Sequence, residues 1–436
     1  MKPNFVKRAL LGGASLTMLA LSPAIVSPAM AETNITFYYP VQVGGALTQI
    51  IDGYVADFEA ANPDIKVEAI YSGNYVDTYN RALTAAKNGT PPTAAVLLSV
   101  DLFQLLDNEV IAPLDQFIKT DEDRAWLDGF MLPYRQSGET DGQLWSIPFQ
   151  RSSLVAYYNK DAFRAAGLDP EAPPKTWDEL AEMAQKLTLR DASGNVTQWG
   201  IGLPGNSGSG QWLFEPLVAQ NGARMRSDDG TKAMLNTPEA VEALQFWVDL
   251  ENKYQAHPKG IQEWATTPAD FLEGRLAMAW TTTGNLGNVR ANAKFDYGVA
   301  PLPGHPNPAS VLGGGSLYIF EQASDEEKAA AWKLIRFLST PELLADWSIK
   351  TGYVAPRDDS WDTPAMKAYV AEVPAATVAR NQIPVAVPEF STYENNRINQ
   401  LINDAIQAAL TGSATPQEAL DRAQAEAERI LKPYQN

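Results

Sequence analysis

Residues 145–163 read WSIPFQRSSLVAYYNKDAF. A short extended run broken by Pro148 leads into the polar patch Gln150, Arg151, Ser152 and Ser153, and the apolar run Leu154 to Tyr158 follows. Alternating, β-branched and aromatic residues favour extended chain, and Pro148 keeps Ile147 out of the helical region. The stretch therefore reads as a strand, a polar crossing and a second strand. Such a patch is either a solvated loop or a hinge between two lobes, and its own residues leave both readings open.

The chain on either side favours two lobes. At 436 residues it is too long for one compact core. Upstream, Ile35 to Tyr39 reads as a strand, and Leu47, Ile50, Ile51, Tyr54, Val55 and Phe58 follow at helical spacing. Asn62-Pro63-Asp64 stops that helix and Ile65 to Tyr71 reads as the next strand, so the order is βαβ with a parallel sheet. Leu83 to Lys87 fits a short helix, and Ala94 to Leu98 is apolar enough for a buried parallel strand. This first lobe runs to about Pro148. Downstream, helix starts are legible as capping boxes at Thr176 with Glu179, Ser324 with Glu327 and Thr415 with Glu418, and as Thr-Pro pairs at Thr237, Thr340 and Thr415. Trp247 and Trp332 fall on apolar faces of two such helices and read as core.

Composition excludes several functions. Lys2, Lys7 and Arg8, the apolar run Ala9 to Val26 and the A-x-A site Ala29-Met30-Ala31 form a secretory signal peptide, cleaved near Ala31. Ser15, Thr17, Ser22 and Pro23 dilute that run below what a membrane anchor needs. With 34 basic against 52 acidic residues the net charge is −18, and losing the basic leader makes the remainder more acidic still. Such a surface repels nucleic acid and anionic lipid. There is no cysteine, hence no disulfide. With only His257 and His305, a histidine zinc site or a Ser-His-Asp triad has too few ligands. No metal, cofactor or catalytic residue is expected.

Gly313-Gly314-Gly315 lacks the Lys-Ser/Thr of a phosphate loop and leads into a strand, so it reads as a tight turn or a close backbone approach to a ligand. Asp121-Glu122-Asp123 and Asp358-Asp359 lie in hydrophilic sequence and read as solvated faces. A secreted carbohydrate hydrolase would need two carboxylates facing a cleft, and no pair stands out. Tyr75, Trp212 and Tyr353 fall between predicted elements, where exposed aromatics suit stacking on a sugar or an organic cation. Binding fits these residues better than chemistry.

The segments NPDIKV, YSGNYVDTYN, YYNKDAFRAAGLDPEAPPKTWDELA, FLEGRLAMAWTTTGNL, KFDYGVAPLP, GGGSLYIF, KTGYVAP and TGSATPQEALDRA, in this order, resemble ABC-transporter extracellular solute-binding proteins of the maltose-binding type, nearest to the periplasmic glycerol-3-phosphate-binding branch. The resemblance spans nearly the whole chain after the leader. It implies a two-lobed α/β Venus-flytrap, each lobe a doubly wound sheet, with three hinge crossings near 148–152, 313–316 and 350–354. One lobe would take 32–148 and 315–350, the other 149–314 and 351–436. It further implies a monomeric periplasmic receptor, without enzymatic activity, that delivers a small polar solute to ABC permease subunits. The solute class is glycerol 3-phosphate or a glycerophosphodiester, with a neutral or sulfonated sugar or polyol as the alternative.

Matched onto this sequence, the branch's ligand positions fall on Tyr75, Ser152, Trp212, Thr282, Gly314 and Tyr353. Hydroxyls and backbone N–H groups there suit oxygens of the solute, and the aromatics suit packing against it. Three positions depart from the branch: Ser99 stands in place of a glutamate, Ser209 of a tryptophan and Ser391 of an arginine. The lost arginine would have paired with a phosphate. Arg151, beside Ser152, either restores a positive charge to the cleft or points to solvent.

Overall fold

The computed structural model describes residues 32–44, 46–206 and 208–435, so the leader expected over 1–31 lies outside the described residues. β1 (Thr33–Tyr39), α1 (Leu47–Ala61) and β2 (Ile65–Tyr71) form the expected βαβ unit, the strands parallel and in register from Thr33 opposite Ile65 to Tyr39 opposite Tyr71. Leu47, Ile51, Tyr54, Val55 and Phe58 are the buried face of α1, and the Asn62 side chain donates to the Phe58 carbonyl where the helix ends. β3 (Ala94–Leu98) pairs with β1 in parallel. Between them, α2 spans Tyr75–Lys87, starting eight residues before Leu83. Its start is set by Asn74, which accepts from the Asp77 N–H while the Asp77 carboxylate accepts from the Asn74 N–H. That reciprocal cap satisfies two helix-end donors and draws Tyr75 into the first turn.

The 145–163 stretch departs from its sequence reading. Ile147–Asn159 is one strand, buried at every residue, with no loop at the polar patch. Its partner is the antiparallel strand Ser310–Ile319, in which Gly313, Gly314 and Gly315 lie opposite Ser152, Arg151 and Gln150. Backbone pairing satisfies the patch's amides, and the facing glycines leave room for its side chains. The two strands join the long strands into one curled sheet: β3, β1 and β2 lie beyond Ser310–Ile319, and Met278–Thr282 and Tyr297–Ala300 flank Ile147–Asn159. A third segment runs alongside, where Gly352 (φ 96°) ends the helix Pro341–Thr351 and the Val354 N–H donates to the Arg151 carbonyl at 2.7 Å.

Helices cover both faces. Phe37, Ile51, Phe58, Leu334 and Trp347 belong to one core, which continues to Val155, Tyr157 and Phe271. Leu154, Ala156 and Tyr158 pack on the opposite side with Trp177, Trp247, Ile402 and Leu420. A small cluster of Tyr79, Leu97, Leu102 and Tyr318 closes the outer face near α2. The capping boxes at Ser324 and Thr415 form as expected. Thr176 makes only half of its box: it accepts from the Glu179 N–H, while the Glu179 carboxylate accepts from the Lys175 N–H instead.

Candidate functional site

A cavity of about 550 Å³ opens where the crossing strands meet the surrounding helices. Ser152 and Gly314 supply its floor, with Thr282 and Tyr353 beside them. The first turn of α2 and the residues after β3 form one wall; the start of the helix Gly210–Gln220, Trp264 and the helix Asn395–Leu410 form the other.

The triple glycine explains how the aromatic walls fit. A Cβ on Gly313 would lie 2.5 Å from the Trp212 ring and one on Gly315 would lie 2.9 Å from the Tyr75 ring. Gly314 has φ 96°, and its Cβ would meet the Gln150 carbonyl at 2.0 Å. The tract is strand and not a tight turn, and the groups that approach Gly313 and Gly315 closely are two aromatic side chains. The Trp212 indole donates to the Leu312 carbonyl at 3.3 Å and lies 5.7 Å from Trp264, tilted by 57°. The Tyr75 hydroxyl donates to Gln150 Oε1 at 2.9 Å. Burial pushes the Tyr75 phenol well up and that of Tyr353 up to about 12, so both are neutral. Thr282 Oγ1 accepts from the Gly284 N–H at 3.1 Å and keeps its own proton for donation.

Tyr75, Ser152, Trp212, Thr282, Gly314 and Tyr353 all line this cavity. None of the three aromatics is an exposed loop residue: Tyr75 and Trp212 lie in first helical turns, and Tyr75 and Tyr353 are buried. Arg151 is not among the lining residues. Successive residues of a strand face opposite ways, so Arg151 turns from the side that Ser152 presents. Its guanidinium stacks 4.9 Å over the Tyr134 ring and donates to the Gly314 carbonyl at 3.1 Å and to Ser316 Oγ at 3.4 Å. It points neither into the cavity nor to solvent. Of the three departures, Ser209 lines the cavity and donates to Asn206 Oδ1 at 2.5 Å. Ser99 donates to the Gly314 carbonyl and Ser391 to the Val100 carbonyl, and neither is a lining residue.

Several lining residues went unread in the sequence. Asn395, Asn396, Asn399, Gln400 and Asn403 present amides to the cavity from one helix. Their spacing of i, i+1, i+4, i+5 and i+8 is a helical stripe, and that signal was available. Trp264, Asp101 and Glu389 also line the cavity, and nothing local marks them. Burial raises the Asp101 carboxyl to about 7. Burial raises Glu389 well above the usual carboxylate range, with Glu215 adding to the rise and Arg151 opposing it. No lysine, arginine or histidine lines the cavity among the described residues. Nor, among those residues, does any histidine or acidic cluster make a metal site.

The sequence profile described as bacterial extracellular solute-binding protein matches residues 53–375. The chain belongs to the bacterial extracellular solute-binding proteins. Similar to this solute-binding protein is the sn-glycerol-3-phosphate-binding periplasmic protein UgpB of Salmonella typhimurium, 32% identical over 96% of this chain and 97% of the relative. The protein of the same name from Escherichia coli K12 is 31% identical over the same shares. Among solved structures, UgpB of Mycobacterium tuberculosis in complex with glycerophosphocholine superposes with a TM-score of 0.82 at 23% identity, covering 93% of this chain and 100% of that one. Maltose-bound MalE3 of T. maritima gives 0.80 at 26% identity, over 91% and 100%. The two-lobed α/β architecture expected from the sequence is the one these structures share. Members of this family are periplasmic or extracellular receptors of ABC importers, and this solute-binding protein is a receptor, not an enzyme. No helix among the described residues is long and apolar enough to cross a membrane.

Proposed function

We propose that this receptor captures a small polar solute between its lobes and presents the closed form to its permease, acting as a monomer in the periplasm after cleavage near Ala31. The lobes are 32–148 with 315–350 and 149–314 with 351–436, and they close by bending at the crossing strands. One observation carries the reading: Tyr75, Ser152, Trp212, Thr282, Gly314 and Tyr353, from separate parts of the chain, converge on a single cavity. Its 550 Å³ suits a solute the size of a glycerophosphodiester or a small saccharide. The Trp212–Trp264 pair and the rings of Tyr75 and Tyr353 pack its carbon skeleton, and hydroxyls and amides take its oxygens.

The likeness to glycerol-3-phosphate-binding proteins puts glycerol 3-phosphate or a glycerophosphodiester first. A second reading, a neutral sugar or polyol, is favoured by the lack of any cationic lining side chain among the described residues. Calorimetric titration with glycerol 3-phosphate, glycerophosphocholine and maltose tests both. The expected result is saturable one-to-one binding of at least one of them. A ligand at 100 times its Kd then stabilises the fold by about 2.7 kcal/mol. Absence of heat and of any thermal shift with all three would refute the assignment.

A further inference from the structure

On the lobe division proposed above, Phe103 and Asp107 belong to one lobe and Tyr393 and Tyr434 to the other, and the four meet outside the cavity. The helix Leu102–Asp107 buries Leu102 and Leu105 in the small cluster with Tyr79 and Tyr318, while Phe103 joins none of the three cores among the described residues. Its ring faces across the seam instead, 5.5 Å from the Tyr393 ring and tilted by 41°. Tyr393 stacks on Tyr434 at 4.4 Å and 12°, and both tyrosines pack against the core of their own lobe. At the far end of the same helix the Tyr434 hydroxyl donates to the Asp107 carboxylate at 3.4 Å. Gln435 ties this segment to the Thr231 carbonyl, and a Cβ on the adjacent Gly230 would lie 3.9 Å from the Phe103 ring. One lobe thus presents a prebuilt aromatic shelf, and the other a single apolar side chain seated on it. The polar contacts of the seam, from Ser391 and Asn395 to the Val100 carbonyl, are of a different kind. Water takes over such hydrogen bonds when the lobes part, so they shift the balance little. It has no equivalent for Phe103, whose ring is covered only across the seam and is exposed on opening.

We propose that Phe103, seated on the Tyr393–Tyr434 stack, is a latch that sets the balance between the open and closed forms and so scales the affinity for every solute without touching any of them. This rests on the two-lobed receptor reading above. None of the three rings lines the cavity. A contribution that belongs to closure multiplies all apparent affinities by one factor, and because it acts after the solute has entered, it appears in the dissociation rate.

The test compares the whole mature protein with its Phe103→Ala and Phe103→Leu variants, by calorimetry and stopped-flow tryptophan fluorescence with glycerol 3-phosphate, glycerophosphocholine and maltose. Expected for Phe103→Ala is an equal loss of about tenfold for each solute that the wild type binds, carried by faster dissociation at an unchanged association rate. Phe103→Leu, which keeps an apolar side chain on the shelf, should recover most of that loss. Should Phe103→Ala not fold, Tyr434→Phe removes only the hydroxyl on Asp107, and it should weaken each solute by about twofold, again through dissociation. A merely structural role would lower the unfolding temperature of the solute-free variant and leave the affinities unchanged. A loss confined to one solute would instead make Phe103 part of a subsite. Either outcome overturns the proposal and leaves the receptor reading standing, whereas no binding of any of the three solutes overturns both.

Discussion

Arg151 shows how far one residue's role depends on which way it faces. Next to Ser152 in sequence it reads equally as a charge for the cleft or as a solvent-facing residue, yet in the strand it lies behind the cavity wall, buried on Tyr134 and bound to the Gly314 carbonyl. Burial holds its pKa below the usual arginine value, and Tyr134 and Glu389 work against that shift. A desolvated cation of this kind is structural, since removing it strands the groups it serves. Arg151→Ala should lower unfolding stability by about 3 kcal/mol, the order seen when one partner of a buried charged network is removed. It should weaken anionic and neutral solutes to the same extent, as calorimetry on the refolded variant would show. Selective loss of anion binding would instead place the guanidinium in the cleft.

At the scale of elements, the two crossing strands hold the site together. Their pairing puts three glycines opposite a polar triplet, and each glycine has its own reason. Gly313 and Gly315 admit the rings of Trp212 and Tyr75, and Gly314 adopts a left-handed φ directly against the Gln150 carbonyl. Gly314→Ala therefore meets both backbone strain and overlap, and a loss on the order of 3 kcal/mol is expected. Urea unfolding measures it, and an unchanged midpoint would mean that the strands can part at no cost. The helix Asn395–Leu410 is a different kind of element. Ile398, Ile402 and Ile406 face the core while the amide stripe faces the cavity, and Asn403 Oδ1 also accepts from the Gln211 N–H at the start of the neighbouring helix. One helix thus fixes both the cavity wall and the helix that carries Trp212.

Across the whole molecule, the two sides of the cavity touch through Val100, whose carbonyl accepts from Ser391 and Asn395, and through the rings of Phe103 and Tyr393, 5.5 Å apart. This seam encloses carboxyls contributed from both sides, and it makes stability depend on pH. Asp101 and Glu215, raised by burial to about 7 and about 8, hold their protons more tightly than in the unfolded chain, where such groups ionise near pH 4. Their contribution is complete below about pH 4 and is lost as the pH rises through 7 and 8. Asp101→Asn should therefore raise the unfolding temperature, relative to wild type, more at pH 8 than at pH 5. Parallel shifts at both pH values would show that Asp101 ionises normally in the folded chain.

The sequence by itself determined the family, the βαβ start, the helix starts marked by caps and six residues lining the cavity, because each is written in local spacing or in a contiguous motif. Thr415 and Ser324 cap their helices through residues three positions on, and YYNKDAF carries its likeness within seven residues. Only the tertiary structure decided that the polar patch at 150–153 is continuous strand, since the glycines that accommodate it lie more than 150 residues downstream. It likewise decided that Arg151 stands behind the wall, and that Asp101 and Glu389, nearly three hundred residues apart in the sequence, face one cavity. Burial and partner identity at such positions come from chain segments that meet only in the fold, and those two quantities set what a charged side chain does.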